Sequence, residues 1–153
     1  MEDTMSTFKN KLFTYKVQAN DYERIGSVAI EVKKMLKHYF SKNDYTRRLG
    51  VCVFEAEANL SIHTNHGGTI EVLILENTVR ITAKDDGPGI KDLEKALTPG
   101  FSTASENARL LGFGGGVGLN NIKRIADYFD LKSSEKGTIL ICEIRENENT
   151  KAD

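Results

Sequence analysis

At 153 residues, 39% hydrophobic and 28% charged, the chain has the length of one domain and enough apolar material for a real core. Its net charge of −1 gives no electrostatic basis for binding nucleic acid or an anionic membrane. No apolar run reaches transmembrane length, MEDTMSTFKNK lacks the apolar region of a signal peptide, and two cysteines without CxxC spacing argue against a zinc site or a disulfide scaffold. The expectation is a cytoplasmic protein with Cys52 and Cys142 reduced and buried.

Leu12 to Ala19 alternates weakly, with Phe13, Tyr15 and Val17 on one face, and reads as a strand. Asn20 or Asp21 then stands as an N-cap for a helix from Tyr22 to Phe40. Its apolar stripe is Ile25, Val28, Ala29, Val32, Leu36 and Tyr39, and Lys33, Lys34 and Lys37 form the solvated side. After a loop at Ser41 to Asp44, a second helix is predicted from about Tyr45 to His63. Leu49, Val53, Ala56, Leu60 and His63 run along one stripe, with Glu55, Asn59 and Ile62 beside it. Gly67 and Gly68 follow its end, as glycines commonly do. Thr69 to Leu75 and Thr78 to Lys84 alternate around Glu76-Asn77 and predict a β-hairpin.

Asp85-Asp86-Gly87-Pro88-Gly89-Ile90 is a strong turn, followed by a short helix over Lys91 to Ala96. Thr98 to Phe113 lacks periodicity and holds Pro99, Gly100, Ser102, Thr103 and Ser105. It reads as a long mobile loop, the kind that serves as a lid, with one helical turn around Asn107 to Leu110. Five of the 13 glycines fall between Gly112 and Gly118, and a helix follows through Leu119, Ile122, Ile125 and Ala126, with Lys123, Arg124 and Asp127 on its other face. Asp130 to Ser133 and Thr138 to Ile144 predict two more strands around Ser134-Glu135-Lys136-Gly137, and Arg145 to Asp153 a frayed tail. This order predicts a single domain over residues 1–153, with its core at about 13–144. The class is α+β: a two-layer sandwich with helices on one face of a mixed, mostly antiparallel sheet.

Three stretches hold residues suited to chemistry. Glu55 and Asn59, at i and i+4, share one helix face beside the apolar stripe. They read either as a solvated polar edge or as a general base and a hard oxygen ligand for Mg²⁺. Asp85-x-Gly87-x-Gly89 directly after a strand is either a surface turn or a carboxylate aimed into a pocket, where an exocyclic amine such as adenine N6 is a natural donor to it. The glycines at 112 to 118 are either a pliant loop before a packed helix or a cradle for phosphate. In the second reading backbone N–H groups converge and the helix dipole adds positive charge. There is no Gly-Lys-Ser/Thr, so this is not a P-loop, and Gly114-x-Gly116-x-Gly118 is not the dinucleotide fingerprint.

In series, Glu55-x-x-x-Asn59, Asp85-x-Gly87-x-Gly89, a lid, Gly114-x-Gly116-x-Gly118-Leu119 and Gly137-Thr138 resemble the N-box, two glycine boxes and terminal Gly-Thr of the Bergerat-fold ATPases, the GHKL superfamily. The likeness runs from about Phe13 to Ile144. Within the superfamily the chain is most similar to the small anti-sigma factor serine kinases and the stressosome switch kinase, the RsbW/RsbT type. EAEANLSIH from Glu55 to His63 resembles their N-box, and Gly100-Phe101-Ser102-Thr103 their lid, which is longer here. The length leaves no room for a phosphoacceptor helix or a transducer domain.

The resemblance implies the Bergerat fold, ATP and Mg²⁺. It implies Glu55 as the catalytic base and Asn59 as the metal ligand. It implies nucleotide contacts from Asn59, Asp85, Gly87, Gly89, Ile90, Ser102, Thr103, Gly114, Gly115, Gly116, Val117, Gly118, Leu119 and Thr138, the last through an ordered water to adenine. His63 is more in keeping with a hydrogen bond in the fold than with catalysis. The implied activity is a serine/threonine protein kinase acting on a STAS-domain (anti-anti-sigma) partner. The alternative is a nucleotide-gated module that sequesters a sigma factor with little catalysis. Kinases of this type often form homodimers. An ATP-driven machine or a histidine kinase fits less well, for want of the extra segments.

Overall fold

The structure is a computed structural model that describes residues 10–64, 66–85, 118–134 and 136–146. Five strands and three helices are defined in it: β1 (Lys11–Val17), α1 (Ser27–Leu36), α2 (Asn43–His63), β2 (Gly68–Ile74), β3 (Thr78–Asp85), α3 (Gly118–Ile125), β4 (Tyr128–Ser134) and β5 (Gly137–Arg145). The strands form one sheet in the order β1-β2-β3-β5-β4, and every pairing among them is antiparallel. The helices cover one face, so the architecture is the α+β two-layer sandwich.

The period-two alternation puts Ile70, Val72 and Ile74 of β2, Val79, Ile81 and Ala83 of β3, and Leu140, Cys142 and Ile144 of β5 on the covered face, all buried. Opposite them lie Leu49, Cys52, Val53, Ala56 and Leu60 of α2, Val28, Ala29, Val32 and Leu36 of α1, and Leu119 and Ile122 of α3. Tyr45 closes one end of this core: its ring meets Phe40 edge-on at 5.0 Å, and its hydroxyl donates to the Ile144 carbonyl at 2.6 Å. Burial pushes that phenol well above its ordinary range, so it acts as a fixed donor.

The outer face of the sheet carries charge. Arg80 pairs with Glu143 at 2.7 Å and Lys84 with Glu71 at 3.3 Å across neighbouring strands, both at partly exposed positions.

The first helix departs from the expectation. It begins at Ser27, not Tyr22, and ends at Leu36, with a 3-10 turn at Tyr22–Arg24 before it. Neither Asn20 nor Asp21 caps it. Asn20 has φ +59, and Asp21 flanks the 3-10 turn without a side-chain cap. Tyr39 falls beyond the helix and is 43% exposed. The break is at Gly26, whose φ of +105 no helix can contain. The cap comes instead from α2: the Glu57 carboxylate, 2% exposed, accepts from the Val28 and Ala29 amides at 3.2 and 3.0 Å. These are N–H groups that an N-cap side chain would satisfy, and Gly26 has none to offer.

The second helix starts two residues before the expected Tyr45, and the hairpin and the two last strands lie where expected, within one or two residues at each end. The short helix expected at Lys91 to Ala96, the lid from Thr98 to Phe113, and the tail beyond Glu146 lie outside the described residues.

Candidate functional site

Helix α2 meets α3 through two side chains two helical turns apart, Arg48 and Glu55. The two helices run antiparallel. Arg48 Nη2 donates to the Ile125 carbonyl at the C-terminus of α3 at 3.0 Å. Glu55 lies at the opposite end of α3, where Asn121 Nδ2 donates to Glu55 Oε2 at 2.8 Å. A carboxylate only accepts, so the asparagine presents its nitrogen. A Cβ at Gly118 would stand 3.1 Å from Glu55 Oε1, so the carboxylate lies close over the first residue of α3. An acidic group thus sits at the N-terminus of α3 and a basic one at its C-terminus, both matching the helix dipole.

Asn59 is half-buried one turn beyond Glu55. The next residue, Leu60, fixes where this end of α2 rests on the sheet. A Cβ at Gly68 would meet Leu60 Cδ2 at 2.8 Å and the Lys84 carbonyl at 2.1 Å, so glycine is required for the helix to seat there. Gly68 pairs with Asp85, the last residue of β3. Asp85 follows Ala83 by two residues and therefore lies on the face that the helices cover. Continuing the β3–β5 register one residue beyond Lys84 and Ile139 brings Asp85 level with Thr138. Thr138 is buried, and its hydroxyl shares a hydrogen bond with Ser133 across β4 and β5 at 2.9 Å.

Among the described candidates, two groups form. Glu55, Gly118 and Leu119 lie at the α2–α3 contact, with Asn59 one turn further along α2. Asp85 and Thr138 lie at one end of adjacent central strands, the end on which α2 comes to rest. Gly87, Gly89, Ile90, Ser102, Thr103, Gly114, Gly115, Gly116 and Val117 lie outside the described residues. His63 closes α2. It is largely buried, and burial pulls its imidazole below the ordinary 6.5. A separate hollow lined by Lys33, Lys37, Asn43, Asp44, Thr46 and Arg47 lies between α1 and the start of α2 and holds none of the motif residues.

Three residues at these contacts were not among the sequence candidates: Arg48, Glu57 and Asn121. Nothing near them in sequence marks them, because each acts on a partner far along the chain. Asn121 alone carried a partial signal, as a polar residue in the first turn after the glycine run.

Among the described residues no group of three or more His, Cys, Asp or Glu could hold a metal ion. A Mg²⁺ shared with phosphate oxygens needs only one or two protein oxygens, and the Asn59 amide, a turn from a carboxylate, is a donor of that kind. No helix among the described residues is long and apolar enough to cross a membrane.

Residues 44–148 match the family described as histidine kinase-, DNA gyrase B- and HSP90-like ATPase. The chain is similar to an anti-sigma F factor of Caldanaerobacter subterraneus subsp. tengcongensis, 37% identical over 93 residues, covering 58% of this chain and 62% of that one. It is also similar to the serine/threonine-protein kinase RsbT of Bacillus subtilis, 42% identical over 55 residues, covering 36% and 35% of the two chains. The chain spans about three fifths of the length of the anti-sigma F factors it matches first. A solved catalytic domain of the histidine kinase ThkA superposes with a TM-score of 0.48 at 19% identity, covering 91% of this chain and 97% of that one.

Proposed function

We propose, from the premise that the chain belongs to the histidine kinase-, DNA gyrase B- and HSP90-like ATPase family, that it is an ATP-dependent serine/threonine protein kinase of the anti-sigma type. Its substrate is a hydroxyl on a STAS-domain partner in the cytoplasm. The observation that carries this reading is the placement of Glu55. Its carboxylate is held at the N-terminus of α3, the helix that the glycine run enters. A helix N-terminus after such a run favours phosphate, and a base beside it is where an attacking hydroxyl must lose its proton.

In this reading Asp85 accepts from the adenine amine, and Gly114 to Gly118 wrap the phosphates. Asn59 would hold Mg²⁺, which would neutralise phosphate charge. Glu55 takes the proton of the serine or threonine hydroxyl as that oxygen bonds to the γ-phosphorus. The bond from phosphorus to the bridging oxygen breaks, and ADP leaves with the electron pair. Positioning and charge neutralisation are most of what phosphoryl transfer requires.

The test is incubation with γ-labelled ATP, Mg²⁺ and the STAS-domain proteins of the same genome. Label should appear on a serine or threonine of one of them. Glu55→Gln should lower transfer by about 100-fold or more while ATP affinity stays within about threefold. Full transfer by the variant removes Glu55 as the base.

A second reading has its own observation. The anti-sigma F relative matches 58% of the chain, against 36% for RsbT. In this reading ATP gates capture of a sigma factor. ATP-dependent retention of a sigma factor without labelling of any partner would decide for it.

A further inference from the structure

We propose that Asn121 is a positioning residue for Glu55, and that Gly118 and Asn121 together form its seat; this rests on the reading of Glu55 as the base. Gly118 and Asn121 are three residues apart on α3 and so face the same way, one turn from each other. Each meets a different oxygen of the carboxylate. Asn121 Nδ2 donates to Oε2 at 2.8 Å. Gly118 leaves room for Oε1, which a Cβ there would approach to 3.1 Å, with Cδ at 3.7 Å. Small at one position and a donor amide at the other fix both the place of the carboxylate and its rotation about its last bond.

Glutamate needs such a seat. Its side chain has three torsions, and holding one rotamer costs conformational entropy. A base displaced by about 1 Å can lose about 100-fold in rate. The choice of an amide also follows from the task. A neutral donor orients the carboxylate and leaves it the negative charge that a proton acceptor uses, whereas a lysine would pair with that charge. The seat is built on α3, so the last residue of the glycine run and the base are placed by the same eight-residue helix.

The experiment measures release of labelled inorganic phosphate from γ-labelled ATP with Mg²⁺ by the full chain, as transfer to water. Asn121→Ala should lower kcat by about tenfold or more with KM for ATP within about threefold. Asn121→Gln, which keeps a donor amide, should regain part of that loss, and both variants should stay folded by circular dichroism. A higher KM with unchanged kcat, or an Asn121→Gln no better than Asn121→Ala, overturns the positioning role. Slow release by Glu55→Gln beside wild-type release by Asn121→Ala overturns it alone. Equal release by wild type and Glu55→Gln overturns the base assignment and this inference with it.

Discussion

Two glutamates two residues apart on α2 have opposite assignments. Glu57 points between the helices, is 2% exposed, and spends both oxygens on the first-turn amides of α1. Glu55 is half-exposed and meets α3. The first is structural and the second is proposed as chemical, and the difference is measurable. Glu57→Ala leaves two amides at the α1 N-terminus without acceptors in a closed site. Each such loss costs about 1–3 kcal/mol, so urea unfolding should show a destabilisation of about 2–4 kcal/mol. A change below about 1 kcal/mol would mean that water or another side chain takes over the cap.

At the scale of elements, the alternation of the strands made the hairpin and β4–β5 readable, since each apolar residue was placed by its immediate neighbours. The start of α1 was not readable in that way. Asn20 and Asp21 are good capping residues, and a local rule chooses them; the actual acceptor, Glu57, comes some thirty residues later and meets α1 only after packing. Asn121 was missed for the same reason, since its partner is 66 residues away. The glycines from Gly112 to Gly116 are the converse case, plain in the sequence as a motif and outside the described residues.

Two glycines that punctuate these elements differ in why they are glycines. At Gly26 a Cβ would meet Phe54 at an ordinary 3.6 Å, so only the φ of +105 opposes a side chain. Gly26→Ala should cost about 1–2 kcal/mol. At Gly67, with φ +73, a Cβ would also stand 2.0 Å from the Val17 carbonyl oxygen, so backbone would have to move. Gly67→Ala should cost about 3 kcal/mol or more, and thermal unfolding of the two variants side by side checks the order.

Over the whole molecule, α2 is the central member: α1 packs on one flank, α3 on another, and the sheet lies beneath. Cys52 of α2 meets Cys142 of β5 at the bottom of this core, both thiols free and buried. Their mutual hydrogen bond and burial push the Cys142 thiol up, which keeps it protonated and inert. His63, at the far end of α2, contributes to the pH response of the fold. Burial holds its imidazole below 6.5, so the unfolded chain binds that proton more readily than the folded one. Its contribution is constant above about pH 6.5 and becomes destabilising as pH falls from there toward the lowered value. The loss of Tm between pH 7.5 and pH 5 should therefore be smaller in His63→Asn than in the wild type; equal losses would assign the response to other groups.

The pair of contacts between α2 and α3 has a consequence for how such a chain can change over generations. Arg48 and Glu55 are seven residues apart, as are Gly118 and Ile125, so at 1.5 Å per residue the two grips match along about 10.5 Å of antiparallel helix. Both ends of α3 are thereby fixed from α2, independently of the chain that leads into it. A change of length between Asp85 and Gly118 would then leave Glu55 and α3 in register. The register of Glu55 against α3 is set by the two helices themselves.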